Sequence, residues 1–185
     1  MIDGPAAGSP AEPATVTVWD PFVRVFHWTL AAACGAELLL LDGGRAPHRW
    51  VGYAAAGLVA ARVVWGFVGS RHARFRDFVP HPLGLLVYLG ALLRGREPRT
   101  LGHNPAAAAM ILVLMGVVAA LGVTGWMTTL DAFWGAAWLE DLHGWLADAL
   151  AVLVVVHAAA AAVESVRHRE NLVLAMITGR KRAQP

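Results

Sequence analysis

Four apolar stretches, each close to the roughly 20 residues a helix needs to cross hydrocarbon, constrain this chain more than any other feature. They cover residues 22–41 ("FVRVFHWTLAAACGAELLLL"), 50–68, 105–126 and 142–163. The second is interrupted by Arg62, and the third carries no charge at all. The composition agrees with a membrane protein: 57% of residues are hydrophobic and 15% charged, whereas soluble domains carry about 25% charged residues. The expected fold is therefore all-α, an integral membrane four-helix bundle. A shorter apolar stretch at residues 82–93 is too short to span and is expected as an additional interfacial helix between spans two and three.

The remaining segments divide the chain. Residues 1–16, rich in Pro, Ala and Gly, read as a disordered N-terminal tail without the basic start and apolar run of a secretory signal. Residues 17–178 form the four-span domain, and residues 179–185 a basic C-terminal tail. Between spans one and two, "DGGRAPH" stops one helix and starts the next. Phe133, Trp134 and Trp138, between spans three and four, suit a membrane–water boundary. With four spans, both termini and the middle connection share one side. That side receives twelve of the fifteen Lys and Arg residues; Arg45 and Arg49 fall on the other side and Arg62 inside a span. The positive-inside rule makes the basic side cytoplasmic, which places the chain in a bacterial inner membrane with both termini inside. The net charge of +2 follows from this topology, and nucleic acid is not an expected partner. Anionic lipid is the expected contact of the basic tail, and an assembly of several copies is compatible with such a chain.

The single cysteine, Cys34, lies in an apolar run, and no Cys-x-x-Cys-His occurs. Covalent c-type haem and zinc ribbons are excluded. Histidine is the more informative residue. Of eight histidines, His72, His81, His103 and His168 fall in or beside cytoplasmic connections, where solvated or structural roles are expected. His27, His48, His143 and His157 are associated with spans, where an ionisable residue is a functional candidate by default. His143 and His157 are fourteen residues apart on one helix. That is about 1400° of rotation, about 40° short of four turns, and about 21 Å of rise. They face nearly the same way, one near each boundary of hydrocarbon about 30 Å thick. His27 starts span one on the inside and His48 starts span two on the outside. Depth thus pairs His27 with His157 and His48 with His143.

Two histidines at one depth on different helices suit axial haem ligation, another metal, or a proton relay. Zinc or copper normally takes a third or fourth ligand. A proton path normally includes carboxylates between the two depths, and residues 149–156 contain none. Haem needs two axial imidazoles, a flat apolar slot and cations for its propionates. Small-residue runs such as "AAACGA", "GVVAALG" and "HAAAAA" serve as slot lining or as close helix contacts. Arg62 faces an inner haem propionate or snorkels to the boundary. Arg45 and Arg49 serve the outer haem or are solvated.

Six blocks carry a family resemblance: "VWDPFVRVFHW", "HRWVGY", "RVVWGFVGSRHARFRDF", "GHNPAAAAM", "EDLHGWLADALAVLVVVH" and "RENLVLAMITGRK". In this order they resemble the bacterial cytochrome b561 family, which includes the b-type cytochrome subunits of nickel–iron hydrogenases. The resemblance implies four transmembrane helices and two b-type haems, with ligands on His27, His48, His143 and His157. It implies electron exchange between a quinone pool and a periplasmic redox partner, either a c-type cytochrome or a hydrogenase-like protein. Two rivals stand beside it. One is a cytochrome b561 that oxidises superoxide and reduces ubiquinone. The other is a haem-free helical anchor or proton-conducting bundle.

Overall fold

The computed structural model describes residues 14–183. Most of the segment read as a disordered tail, and the last two residues of the basic tail, therefore lie outside the described residues. The chain forms β1 (Thr15–Thr17), α1 (Pro21–Leu39), α2 (Ala46–Val68), α3 (Phe75–Phe78), α4 (Pro82–Leu93) and α5 (Pro105–Met127). A 3-10 turn (Asp131–Phe133), α6 (Ala137–Arg167), α7 (Leu172–Thr178) and β2 (Arg180–Arg182) complete it. Helices α1, α2, α5 and α6 are the four expected spans, each long and apolar enough to cross a membrane. Helix α4 is the additional short helix. The protein is an all-α membrane bundle.

Local sequence sets the helix starts. The Asp20 carboxylate accepts the Val23 amide proton at 2.9 Å, and Pro21 opens α1. Asn104 caps α5 by accepting from the Ala107 amide at 2.7 Å, followed by Pro105. Proline fits these positions because the first amides of a helix have no intrahelical acceptor. Helix α6 runs for 31 residues, beginning five residues before and ending four residues after the span expected from hydropathy. At about 1.5 Å per residue it is roughly 46 Å long, so both of its ends reach beyond the hydrocarbon.

The long helices pack in sequence: α1 on α2, α2 on α5 and α5 on α6. Among the described residues, no comparable packing closes α6 back onto α1 or α2. The bundle is therefore open along the seam between α6 and the α1–α2 pair. Its centre is a cluster of Cys34, Ala55, Val59, Met115, Val118 and Leu150, one or more from each span. A methyl group at Gly122 would lie 2.7 Å from the Ala56 Cβ, so the missing side chain lets α5 approach α2. Outward-facing Leu39, Trp50, Phe67, Val155 and Val166 are exposed, as expected for a surface that meets lipid tails.

The face holding both termini is more elaborate than expected from the sequence. Strand β1 pairs antiparallel with β2, Val16 opposite Lys181, so the ends of the two segments read as tails meet in a ribbon. Gly179 reverses the chain at φ +82, a left-handed conformation that glycine adopts without a Cβ clash. Its carbonyl accepts from the Val18 and Trp19 amides at 2.8 and 3.1 Å. Glu170 ties the ribbon to the α4–α5 connection. It accepts from Arg99 at 3.0 Å and from the Arg182 amide at 2.9 Å. Asp20 joins α1 to α2 through the Trp65 indole N–H at 3.0 Å and the Ser70 hydroxyl.

Burial alone would raise the Glu170 carboxyl, but the Arg182 amide and Arg99 hold it below the ordinary glutamate range. A depressed carboxyl contributes stability above the unfolded pKa and loses it as pH falls through the folded value. Protection of the Val16 and Lys181 amides from hydrogen exchange is therefore expected to hold at neutral pH and to fall as pH drops below the ordinary glutamate range. Glu170→Ala removes the acceptor shared by Arg99 and the Arg182 amide. It should weaken the ribbon by about 2 kcal/mol at neutral pH in the same exchange measurement.

Candidate functional site

The spans bring the four candidate histidines together as two pairs. The His27 and His157 ring centres are 6.3 Å apart, on the half of the bundle nearer the termini. Those of His48 and His143 are 6.1 Å apart, on the opposite half. His143 and His157 lie on the face of α6 that also carries Leu146, Ala147, Leu150, Ala151 and Leu153, the partly or fully buried stripe of that helix. The fourteen-residue spacing places both imidazoles on the open seam, where α1 and α2 present His27 and His48.

The pair geometry tests what could lie between the rings. Two imidazoles bound through nitrogen on opposite sides of one metal ion, each at about 2 Å, put their ring centres roughly 6 Å apart. Both observed separations fit that span. Among the described residues, the only cluster of three or more His, Cys, Asp or Glu ligand atoms within 4.8 Å of one another is Glu97, Glu164 and His168. Neither histidine pair has a third such ligand, which suits an axially ligated metal in a macrocycle better than a tetrahedral ion. The Glu97 cluster is closed by its own charges: Arg167 lies 2.8 Å from Glu97, and His168 lies 3.1 Å from Glu164. Cys34 is buried in the central apolar cluster.

The half away from the termini contains two residues that the sequence reading missed. Glu37, near the end of α1, lies against His48 Nδ1. Thr124, on α5, places its hydroxyl oxygen 2.8 Å from His143 Nδ1. That hydroxyl is also 2.9 Å from the Ala120 carbonyl and 3.2 Å from that of Leu121. With its single proton on a carbonyl, its oxygen is able to accept from His143 Nδ1–H, the tautomer that leaves Nε2 bare for a ligand role. A methyl group at Gly125 would lie 3.2 Å from His143 Cε1, so glycine makes room for the ring. A carboxylate inside a span was the available signal for Glu37. Thr124 gave none, because threonine within a helix commonly bonds its own backbone.

Arg62 is buried, 3% exposed. Its Nη2 donates to the Ala73 carbonyl at 3.0 Å, and the rings of Phe75 and Phe78 lie 5.4 and 5.8 Å from the guanidinium carbon. Its Nη1 is buried without a partner. An unpaired donor of this kind is costly and is free to take an anionic oxygen. Arg45 instead forms an exposed pair with Asp42 at 3.0 Å, and Arg49 is exposed.

His103 is set more firmly than its loop position suggested. It packs between Trp19 and Phe78, at 4.4 and 5.1 Å between ring centres. Burial first, and then the Arg62 and Lys181 cations, push its pKa down to about 3, so it is neutral at physiological pH. With Arg71, His72, Asp77, Phe78 and Gly102 it lines a cavity of about 240 Å³ on the terminal face.

Comparison with known proteins agrees with this architecture. A protein of Bradyrhizobium diazoefficiens described as a probable Ni/Fe-hydrogenase B-type cytochrome subunit is 28% identical, the match covering 90% of this chain and 86% of the relative. Proteins of the same description from Rhodobacter capsulatus and Azotobacter vinelandii are 26% and 27% identical. Those matches cover 90% and 89% of this chain, and 81% and 87% of the relatives. No solved structure matches. The family described as prokaryotic cytochrome b561 matches residues 18–179, a segment containing all four spans and all four candidate histidines, and the chain belongs to that family.

Proposed function

We propose that this protein is a di-haem b-type cytochrome that carries electrons across a bacterial inner membrane, between the quinone pool and a periplasmic redox partner. The observation that carries the reading is the pair of histidine sites at two depths, with ring centres 6.3 and 6.1 Å apart. A bound b-type haem supplies a one-electron iron couple with no covalent attachment to the chain. His27 and His157 would hold one haem and His48 and His143 the other, each with both axial positions filled by protein. Such sites leave no position for oxygen or substrate at the metal and favour electron transfer over oxygenase chemistry. Arg62, through its unpartnered Nη1, would pair with a haem propionate. Small residues of α1, α5 and α6 would line the slots.

The basic terminal face supports a cytoplasmic assignment for both termini, which makes the His48–His143 site the periplasmic one. The relatives are described as hydrogenase cytochrome subunits, and a hydrogenase-like protein is the partner proposed for the periplasmic face; a c-type cytochrome is the alternative. The superoxide-oxidising reading is disfavoured by that face's acidic residues. Asp131, Glu140 and Asp141 are exposed there, and they would repel an incoming anion.

Two measurements test the proposal. A reduced-minus-oxidised spectrum of the purified protein, with haem quantification, should show two b-type haems per chain; a colourless preparation from haem-replete cells overturns the reading. Single alanine variants test the pairing. His143→Ala should remove the same haem as His48→Ala, and His157→Ala the same haem as His27→Ala. Loss of one common haem in the His143 and His27 variants would contradict the two-depth arrangement.

A further inference from the structure

The two histidine sites differ in what stands behind the rings. In the site away from the termini, His48 Nδ1 meets the Glu37 carboxylate and His143 Nδ1 meets the Thr124 hydroxyl. In the site near the termini, no carboxylate or hydroxyl lies within ion-pair or hydrogen-bond distance of His27 or His157 among the described residues. One site is thus backed by a carboxyl group and a hydroxyl, the other by neither.

Glu37 is costly where it stands. Its side chain is 15% exposed, on a helix that crosses the membrane, and a carboxylate there needs a partner. The nearby cation Arg45 is already paired with Asp42. Among the described residues, His48 is the one polar partner of Glu37. The pair joins the end of α1 to the start of α2, so the carboxylate fixes the ring that α2 presents to the seam.

We infer that Glu37 is a positioning residue that makes the His48–His143 site the lower-potential member of the pair, so that electrons entering there run downhill to the His27–His157 site. The inference rests on the two-haem reading above. A carboxylate that accepts the Nδ1 proton makes the imidazole a stronger electron donor through Nε2 and stabilises ferric over ferrous iron. When ionised, the carboxylate acts in the same direction through its charge, because Coulomb interactions are strong away from water. On the other half of the bundle the charge is reversed: the Arg62 guanidinium, buried with one free donor, favours the reduced state there. The favoured step would be a one-electron transfer, with the group held by His48 and His143 giving up the electron and the group held by His27 and His157 taking it. Thr124 orients its ring without adding a charge, so its effect on potential is smaller.

The test is a spectroelectrochemical titration of the purified, haem-loaded protein. Wild type should show two midpoint potentials, the lower belonging to the haem lost in His48→Ala. Glu37→Gln, which keeps the shape and removes the charge, should raise the lower potential and leave the upper one in place. Glu37→Asp should restore part of the difference. Equal movement of both potentials, or none, in Glu37→Gln overturns the inference. So does a lower potential that belongs to the haem lost in His27→Ala, a result that needs no Glu37 variant to accumulate. Thr124→Val should shift the same potential less than Glu37→Gln; a larger shift would assign the effect to Thr124. Wild type without haem would defeat the electron-transfer reading itself, whereas two haems with an unmoved potential in Glu37→Gln would defeat only the role of Glu37.

Discussion

Hydrocarbon offers no water to a polar group, and the rest of this structure follows from that constraint. Backbone amides and carbonyls must be satisfied within each crossing segment, which makes helices of α1, α2, α5 and α6. Side chains obey the same rule. Glu37 has His48, Thr124 has its own backbone and His143, and Arg62 has the Ala73 carbonyl. Exceptions remain: the buried Nη1 of Arg62 and Nδ1 of His27 are among the polar atoms without a hydrogen-bond partner in the protein.

Packing explains how a bundle with so few polar contacts holds its histidines at two fixed depths. Helix α5 is the central support: it packs against both α2 and α6, while α6 has no comparable contact with α1 or α2. Gly122 lets α5 approach α2, and Gly125 makes room for the His143 ring. The seam left open is bordered by the helices that carry the four histidines. A flat macrocycle held from both sides would supply the packing that this seam lacks, and would join α6 to α1 and α2 through its axial ligands.

The two faces of the bundle solve different problems. The face opposite the termini has short connections and an exposed aromatic rim that includes Trp134 and Trp138. The terminal face is clasped. Arg99, Glu170 and Arg182 bind the α4–α5 connection to the ribbon, and Asp20 binds the start of α1 to the end of α2 and the residues after it. The clasp surrounds the ends from which His27 and His157 are presented.

Spacing and hydropathy alone determined the number of spans, their approximate limits, and which histidines share a depth, because helical rise and rotation are fixed per residue. Family resemblance added haem as the group expected at those four residues. The ribbon was not legible, because a three-residue strand near each end has no periodicity that local sequence could reveal, and its partner lies more than 160 residues away. Nor were the roles of Glu37 and Thr124 legible. A carboxylate in α1 could be recognised as costly, but only the packing of α1 against α2, and of α5 against α6, decided which imidazole each residue would touch. The chain's covalent order sets depth in the membrane. Lateral contacts between helices, which no single helix encodes, set the chemical difference between the two sites.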